Sequence, residues 1–482
     1  MKSDFSILKK QGLLKEAFKF TKKRKVKLYL VGGILRDIFL DRDKVNLDFD
    51  FCLKKGAINF GKKLAREIKA GFVVLDKEHG ACRLVKKAGD KIYTLDFTDF
   101  RDKDLKGDLR HRDFTINSIA LSLEDVFAKN NLADALIDPY SGSKDLKLKT
   151  IRMTSSKAFD EDPLRILRAF SLAATFDFKI EPKTLTLIKK KSHKLTGVSS
   201  ERIRDELFKI LQRPNSYRYI VELDKLKILK RIIPEIEIMR GLNQGPYHHL
   251  DIWQHSLETL KQLENAVEEL AGDEEIQGYL NKIISADRRR LALSKLGAIL
   301  HDIGKPEAMR HEDGKIKFHG HEKIGSDITE DIAKRLKLSN DELNVLRKIV
   351  FLHLRPGYLA DKEDVTARAI FRYFRDAQDE AVSILLVSLG DQRSTRGPLT
   401  TKKGRMQHEK LVVRLIKEYF NRQKQPKFVR IINGDELMKH FKLEASPLIG
   451  KILREIEELQ AVGKIKTKQE AFKVAAKFIH SQ

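Results

Sequence analysis

Residues 29–53 read YLVGGILRDIFLDRDKVNLDFDFCL, and this stretch decides both the fold and the chemistry expected of the chain. An apolar run ends at Gly32-Gly33, Arg36 follows, and Asp48 and Asp50 come two residues apart. Residues i and i+2 of a strand point to the same face, so the two carboxylates are expected to lie side by side. Adjacent carboxylates suit a hard cation such as Mg²⁺.

The same stretch has features of a phosphate-binding site. The glycine pair lets the backbone approach a ligand closely, and a helix starting at Ile34 would present free N–H groups to phosphate. The other strand face is apolar, with Leu47, Phe49 and Phe51. We therefore predict a site for a triphosphate and two divalent metals. The alternative is an ordinary half-exposed strand after a Gly-Gly turn.

The composition indicates a polyanionic partner. A chain of 482 residues is expected to form about three domains. Its net charge of +26, with 34% charged residues, favours nucleic acid. The alternative is that many of these lysines lie on solvated helix faces without a partner.

The two cysteines, Cys52 and Cys82, cannot form a disulfide scaffold for such a chain, and no CxxC pair is present. We expect both to be small buried hydrophobic residues in a reducing compartment. No signal peptide and no run of 18 apolar residues are found. The sequence therefore predicts a soluble, cytoplasmic protein without membrane contact, and it leaves the oligomeric state open.

The pattern of elements changes along the chain. Between residues 25 and 125, five β-rich runs alternate with helical stretches, which predicts a small α/β or α+β domain. After about residue 150 the strand pattern nearly vanishes, and helices are expected. We divide the chain into an N-terminal helix (1–24), a head (25–150), a helical neck and body (151–240), a histidine-rich helical domain (241–400) and a basic helical tail (401–482).

Three more segments of the first half carry candidate site residues. Asp96 lies in the alternating strand YTLDFTDF and is a candidate third carboxylate beside Asp48 and Asp50. Arg112 and Asp113 precede a run expected to be helical. Residues 101–108, RDKDLKGD, have the composition of a mobile loop.

The segment FDEDPLRILRAFSLAA (159–174) predicts a base-reading helix. Asp162, Arg165 and Arg168 step by three and would form one stripe. Arginine only donates hydrogen bonds and carboxylate only accepts them. An Arg with an Asp therefore matches the edge of C or A, whereas U and G would leave buried groups unpaired. The alternative is a surface salt bridge between Glu161 and Arg165.

Five motifs in order resemble one family: LVGGILRD, LDFD, HRDFTIN, EDPLRILR and SSERIRDELFKIL. Over roughly residues 25–235 the chain is similar to class II tRNA nucleotidyltransferases and bacterial poly(A) polymerases, of the DNA polymerase β superfamily. The resemblance implies untemplated addition of CCA, or part of it, to tRNA 3′ ends from CTP and ATP. It implies head, neck, body and tail regions, Mg²⁺ on Asp48 and Asp50, and nucleotide contacts from Gly33, Arg36 and Arg112. Gly32, Asp162, Arg165 and Arg168 are included in the nucleotide site.

Three features qualify the resemblance. His111 and Ser171 stand where the family usually has arginine, which affects one nucleotide contact each. The Gly-Arg-Arg-Phe run typical of poly(A) polymerases is replaced by FVVLDKEHGACRLV, which favours the tRNA branch. The stretch 101–108 is full length, which counts against CC-only addition. Addition of CCA, CC or A alone, and poly(A) synthesis, stay open.

A second constellation lies downstream, where eight of the 14 histidines fall between residues 248 and 353. The order His255, His301-Asp302, Asp391 resembles the HD phosphohydrolase superfamily, and His321 and His353 occupy places where two-metal members carry extra ligands. Imidazole with carboxylate suits Mn, Ni, Fe or Mg, and such metals activate water against phosphate esters. The alternative is a structural helical domain with surface histidines.

The main interpretation is therefore a tRNA nucleotidyltransferase with an HD domain at 241–400 and an RNA-gripping basic tail. One rival is a metal phosphohydrolase acting on RNA or nucleotide phosphoesters, in which the N-terminal half only holds RNA. The other is a non-catalytic RNA-binding protein. The intact carboxylate pair argues against the first rival, and the completeness of both metal sets argues against the second.

Overall fold

The computed structural model of the chain describes residues 6–42, 48–89, 91–129, 131, 133–362, 364–426 and 428–480. The chain divides into two compact units. The first runs to Ile210 and includes Leu223–Arg231, and the second consists of Leu211–Glu222 and the chain from Ile232 onward.

The first unit is built on a six-stranded sheet of order β3-β4-β5-β2-β1-β6. Strands β2 and β5 are parallel, and the other neighbours are antiparallel. The apolar face of β2 packs inward: Phe51 stacks on Phe97 with ring centroids 5.0 Å apart, and Phe60 closes on Phe97 at 5.3 Å. The strands are β1 Tyr29–Val31, β2 Asp48–Leu53, β3 Gly71–Asp76, β4 Ala81–Ala88, β5 Lys91–Asp99 and β6 Ala120–Ser122.

Helices surround this sheet and continue the chain beyond it. The helices of the head are α1 Ser6–Lys9, α2 Gly12–Arg24, α3 Gly33–Phe39, α4 Ala57–Ile68, α5 Leu105–Arg110, α6 Leu123–Ala128 and α7 Gly142–Lys147. A short parallel pair follows, β7 Thr150–Ile151 with β8 Lys179–Ile180. The neck and body helices are α8 Ala158–Glu161, α9 Arg165–Phe176, α10 Pro182–Lys191, α11 Ser200–Leu211, α12 Ser216–Lys225 and α13 Leu229–Ile232.

The second unit is almost entirely helical. Besides most of α12, its helices are α14 Ile252–Glu269, α15 Glu274–Asn281, α16 Arg290–Leu300, α17 Lys305–Ala308, α18 His321–Arg335, α19 Asn340–Leu352, α20 Arg355–Ala360, α21 Ala367–Ala377, α22 Ala381–Ser394, α23 Lys402–Gln423, α24 Gly434–Phe441, α25 Pro447–Ala461 and α26 Lys468–His480. Two hairpins interrupt them, β9 Ile283–Ser285 with β10 Arg288–Arg289, and β11 Arg310–Glu312 with β12 Lys315–Lys317.

Close packing of two long helices positions the histidine-rich centre. A Cβ added at Gly390 of α22 would lie 2.8 Å from the carbonyl oxygen of Thr259 on α14. Only glycine permits this approach, because the space is taken by backbone. The contact brings the segment that carries Asp391 against the one that carries His255.

The structure confirms the mixed head, the helical remainder and the five expected strands. Cys52 and Cys82 are both fully buried, as expected. The N-terminal helix is confirmed for the described residues from Ser6 onward, where it is broken into α1 and α2. Leu47 lies outside the described residues, whereas Phe49 and Phe51 are each 1% exposed. The domain boundaries drawn from the sequence stay predictions.

Two expectations about local structure were wrong. Part of the stretch 101–108 is helical, because Asp104 caps α5 by accepting from the Gly107 N–H at 2.7 Å. The run after Asp113 is a single 3₁₀ turn at Thr115–Asn117 that leads into β6. Sheet pairing with β1 overrides the helical appearance of that run.

Candidate active site and metal centre

Three carboxylates meet on one face of the head sheet. In the parallel register of β2 and β5, Asp48 lies opposite Thr94 and Asp50 lies opposite Asp96. The Thr94 hydroxyl donates to Asp48. Asp48 is exposed and Asp50 is half-buried, while Phe49 between them faces the core. The period-2 pattern thus places Asp48, Asp50 and Asp96 side by side, as the sequence predicts.

Arg83 of β4 faces the same carboxylates, and the sequence reasoning missed it. Its Nε and Nη2 donate to the two oxygens of Asp96, each at 2.8 Å. This bidentate pair raises the pKa of Arg83. The pairing follows from the antiparallel register of β4 with β5, which places Arg83 opposite Asp96. Motif reading along one strand gives no such information.

Gly32 forms the backbone wall next to the carboxylates. Its φ of +79° lies in the left-handed region. A Cβ at this position would lie 2.8 Å from Oδ2 of Asp50. The turn therefore needs glycine for its conformation and for the close approach of Asp50. Helix α3 begins at the next residue and directs its first N–H groups to this side.

A cavity of about 390 Å³ opens in front of this turn. It brings together all seven residues predicted for nucleotide binding, with Asp50 and Asp96, whereas Asp48 lies outside the lining. The lining is Gly32, Gly33, Arg36, Asp50, Phe51, Leu75, Asp96, Thr98, Arg101, Asp108, Arg112, Asp113, Asn117, Asp162, Leu164, Arg165, Arg168 and Arg202. Its six arginines make the cavity suitable for a polyanionic ligand.

Two of these arginines contact neighbouring side chains of the protein. Arg36 is 8% exposed, donates through Nε to Asp37 at 2.9 Å and through Nη1 to Asn117 at 2.6 Å, and lies over the ring of Phe176. Burial lowers its pKa. Arg112 lies 3.6 Å from Asp108, and its buried Nε has no hydrogen-bond partner among the described residues.

The expected single helical stripe of Asp162, Arg165 and Arg168 was wrong in its geometry. Asp162 is extended (φ −148°, ψ 102°) because Pro163 follows it, and α9 begins only at Arg165. The three side chains nevertheless line the same cavity. Arg168 donates to Asp113 at 2.5 Å. Although burial opposes ionisation of Asp113, Arg168 and Asn117 hold the pKa of Asp113 below its usual value.

Arg165 is fixed by groups of the protein itself. It is 6% exposed, and its Nη2 donates to the carbonyl of His111 at 2.6 Å. Its Nη1 lies 3.2 Å from the carbonyl of Ala158 and 3.3 Å from Glu161. Glu161 also lies 3.0 Å from Nδ1 of His111. The salt bridge between Glu161 and Arg165, which was the alternative to a functional role, is therefore present. It holds in place an arginine that lines the cavity, so the two interpretations are compatible.

The two departures from the family pattern have different positions. His111 takes part in the fixation of Arg165, whereas Ser171 is 2% exposed, hydrogen-bonds Glu206 and is absent from the cavity lining. Arg202, which was not predicted as a site residue, lines the cavity and donates to Asp162 at 2.8 Å. Its position in the motif SSERIRDELFKIL could have identified it as a site residue.

In the second unit, the predicted HD residues converge into two triads. One is His255, His301 and Asp391, and the other is Asp302, His321 and His353, with the ligand atoms of each triad within 4.8 Å of one another. Asp302 joins them: its Oδ2 lies 3.2 Å from His301 Nε2, and its Oδ1 lies 3.3 Å from His321 Nε2. All six residues predicted from the sequence are present.

Hydrogen bonds to the backbone orient three of these histidines. The Nδ1 atoms of His301, His321 and His353 lie 2.9, 2.8 and 2.6 Å from the carbonyls three residues earlier. An Nδ1–H that donates to a carbonyl leaves Nε2 as the ligand atom. The buried His301 Nε2 has no hydrogen-bond partner among the described residues. Burial lowers the pKa of His353 to about 3, which keeps this imidazole neutral. The imidazole and carboxylate donors, and the approach of both triads to Asp302, fit a divalent metal.

Three residues beside this centre were missed by the sequence reasoning. Lys305 donates to Asp302 at 2.6 Å and to Gln244 at 2.7 Å. The His248 ring lies edge-on to His255 with centroids 4.7 Å apart, and burial lowers the pKa of His248 to about 3. Lys305 belongs to the HDIGKP run, which was therefore a usable signal.

Comparison with known proteins agrees with both sites. Four family profiles match: the poly A polymerase head domain over 28–152, the probable RNA and SrmB-binding site of polymerase A over 177–239, the HD domain over 252–382, and the putative tRNA nucleotidyltransferase domain 2 over 329–476. The A-adding tRNA nucleotidyltransferase of Deinococcus radiodurans is 30% identical over 92% of this chain and 93% of its own length. This chain belongs to the tRNA nucleotidyltransferase family.

Two further similar proteins share a lower identity with this chain. The CC-adding tRNA nucleotidyltransferase of Thermus thermophilus is 26% identical over 92% of this chain and 91% of its own length. The Thermotoga maritima CCA-adding enzyme in complex with tRNA is 22% identical, with a TM-score of 0.62 over 97% of this chain and 94% of that one. That structure confirms the fold. The head and HD domain types agree with a dependence on divalent metal ions.

No helix among the described residues has the length and apolar character needed to cross a membrane.

Proposed function

We propose that the protein adds nucleotides of the CCA sequence to the 3′ end of tRNA, using CTP and ATP. The observation that carries the proposal is the set Asp48, Asp50 and Asp96 on one sheet face, beside the Gly32 turn and the arginine-lined cavity. Family membership supplies the class of reaction and the acceptor.

The donor set fits Mg²⁺, because three carboxylates, Asp48, Asp50 and Asp96, share one sheet face. Asp48 and Asp50 would hold the metal, which when bound activates the 3′-hydroxyl and stabilises the charge of the leaving pyrophosphate. Arg112 and the first N–H groups of α3 bind the triphosphate. The bidentate Arg83 pair orients Asp96 next to Asp50.

Base choice follows from hydrogen-bond polarity. Arg165 donates to the ring acceptor that C and A share, and Asp162 accepts from their exocyclic amino group. Asp162 already accepts from Arg202, and a carboxylate has lone pairs for both bonds. The fixed guanidinium of Arg165 rejects U and G because their edges present a donor where C and A present an acceptor.

The test is labelling of three tRNA acceptors that end at the discriminator base, at C and at CC, with each NTP separately and with CTP and ATP together. A complete CCA enzyme extends all three. An A-adding enzyme extends only the CC-ending tRNA, with ATP, and a CC-adding enzyme stops before A. No extension of any acceptor would overturn the proposal.

We propose a second activity, metal-dependent hydrolysis of phosphate esters of RNA or nucleotides, in the HD domain. The observation that favours it is Asp302, whose two oxygens face separate triads. Mn, Ni, Fe or Mg bound there would lower the pKa of a water molecule for attack on phosphorus. Lys305 holds Asp302 ionised from outside the triads.

The test compares wild type with the His301→Ala, Asp302→Ala double variant on cyclic phosphates, phosphomonoesters and tRNA ends, with each metal added. The proposal requires hydrolysis by wild type and its loss in the variant, with nucleotide addition unchanged. Equal residual hydrolysis in both proteins would assign it to a contaminant.

A further inference from the structure

Helix α23 presents a line of hydrogen-bond donors to solvent. Positions three or four apart on a helix lie on one face. Along α23 these positions are Lys403, Gln407, Lys410, Arg414, Lys417 and Asn421, and all six side chains are exposed. The opposite face carries His408, Leu411, Val412, Leu415, Ile416 and Tyr419, which are buried. We name the six exposed residues the α23 ridge.

The cations of the ridge have no counter-ions. Among the described residues, Lys403, Lys410, Arg414 and Lys417 make no ion pair, and no acidic residue belongs to the ridge. The two glutamates of the helix are already used: Glu409 pairs with Arg393, and Glu418 pairs with Arg422. No carboxylate of the described residues therefore neutralises the positive charge of the ridge.

The spacing of the ridge is regular. Steps of three or four residues rise by about 5 Å each along the axis, and the ridge spans roughly 27 Å from Lys403 to Asn421. Like charges three and four residues apart destabilise a helix. The row of like charges therefore lowers the stability of α23 unless a polyanion binds to it.

We propose that the α23 ridge binds the sugar-phosphate backbone of the tRNA substrate, an inference that rests on the proposed nucleotide addition. A line of evenly spaced donors without acids matches a chain of phosphates. It does not match a folded protein partner, because such interfaces are anchored by aromatic residues, which the ridge lacks. The neutral members Gln407 and Asn421 can donate to phosphate or ribose oxygens.

The experiment measures the Kd for tRNA of the full-length protein at a series of salt concentrations. The test variant is Lys410→Ala, Arg414→Ala, Lys417→Ala. The matched control, Lys62→Ala, Lys63→Ala, Arg66→Ala, removes the same charge from exposed positions of α4 that also have no ion pair with described residues. Since each neutralised phosphate contributes about 0.7–0.9, the slope of log K against log salt should fall by about two in the test variant. Its Kd should rise roughly tenfold or more at low salt.

The control should keep the wild-type slope and Kd. A Lys410→Arg, Lys417→Arg variant, which preserves the charge, should bind like wild type, and circular dichroism should show unchanged helix content in all variants. Equal effects in test and control would overturn the ridge proposal, since net charge alone would then explain binding. Wild-type Kd in the test variant would overturn it as well, and an acidic protein partner would then be the remaining occupant.

The readouts separate this inference from the proposed function. If wild type binds tRNA but extends no acceptor, the proposed function fails while the Kd comparison still decides the ridge. If wild type extends tRNA and the test variant has an unchanged KM for tRNA, the ridge proposal fails alone. At saturating tRNA the test variant should keep the wild-type kcat.

Discussion

The head site and the HD centre, the two sites proposed to bind metal, are built in opposite ways. In the head, Asp48 and Asp50 are two residues apart on one strand, and Asp48 is exposed. In the HD centre, His255 and Asp391 are 136 positions apart, and His255, His301 and His353 are fully buried. The first site is local and open, whereas the second exists only when five helices, α14, α16, α18, α19 and α22, pack together.

This difference has a chemical consequence. An open pair of carboxylates lets a metal arrive with its triphosphate and leave with pyrophosphate, which suits a site that must release product at every cycle. A buried set of oriented imidazoles keeps its metal between cycles, because the protein supplies most of the ligands. The following predictions are designed to break or sharpen this contrast.

The largest effect is expected at the head. Asp48→Ala or Asp50→Ala should lower nucleotide addition by about 10³-fold or more, because each removes a carboxylate of the metal site for phosphoryl transfer. The Kd for tRNA should stay within about twofold. The measurement is single-turnover labelling with saturating tRNA. Glu67→Ala, an exposed acid on α4, is the control and should be fully active.

If Asp48→Ala kept full activity, the catalytic set would have to be Asp50 and Asp96 alone. That outcome would agree with the cavity lining, which includes Asp50 and Asp96 but not Asp48, and it would overturn the assignment of the metal to the β2 pair. The two single variants therefore distinguish a metal on the β2 pair from a metal between β2 and β5.

The HD centre should lose its metals in steps. His353→Ala removes a ligand of one triad only, whereas Asp302→Ala removes the residue that both triads approach. Metal analysis should therefore find about half the wild-type content in the first variant and almost none in the second. In both, nucleotide addition should match wild type.

Dialysis against EDTA tests the same difference between the open head site and the buried HD centre. Wild type should retain metal in the buried HD centre after its activity in nucleotide addition has become dependent on added Mg²⁺. Simultaneous loss of all metal would show that burial does not slow exchange, and the proposed functional difference between the two constructions would be wrong.

The third effect, a loss of nucleotide addition, is expected from a change at the Gly32 turn of the head. Gly32→Ala forces a Cβ to within 2.8 Å of Asp50 Oδ2 at a φ of +79°. Relief requires a shift of the carboxylate or the turn, so kcat should fall by roughly 10–100-fold, the rate equivalent of about 1–3 kcal/mol of strain. Gly278→Ala in α15, where nothing lies within 4 Å, is the control and should leave kcat unchanged. Equal kcat for Gly32→Ala and wild type would show that the turn is free to move.

The difference between a local site and a site assembled from distant segments also explains which site residues could be predicted from the sequence. The face shared by Asp48 and Asp50 follows from a period of two along one strand, so the local sequence determines it. The Arg83–Asp96 pair depends on the register between β4 and β5, which no local pattern determines. The six HD ligands were predictable only because their order in the chain resembles a known superfamily.

Other residues were misplaced either because a local signal was overlooked or because tertiary context overrides local pattern. Asp162 was expected on a helix by its spacing from Arg165, but Pro163 ends that possibility and leaves Asp162 extended. The run after Asp113 was expected to be helical and becomes β6, because β1 needs a partner at its edge. His248 reaches the metal centre by folding alone, whereas Lys305 follows Asp302 by three residues in the HDIGKP run; neither is part of the triads.

The smallest effect is expected in base choice, and it separates two explanations of Arg165. The guanidinium donates to the carbonyls of His111 and Ala158, so a purely structural role is the simplest alternative. Arg165→Lys keeps the charge but loses the planar fork. If Arg165 reads the base, the preference for CTP and ATP over UTP and GTP should fall by about tenfold, while kcat with the best nucleotide falls less. Competition among all four NTPs measures this ratio, with Arg66→Lys on α4 as the control. A structural role predicts a lower Tm and a uniform loss with every nucleotide, and that outcome would move base reading to Asp162 and Arg202.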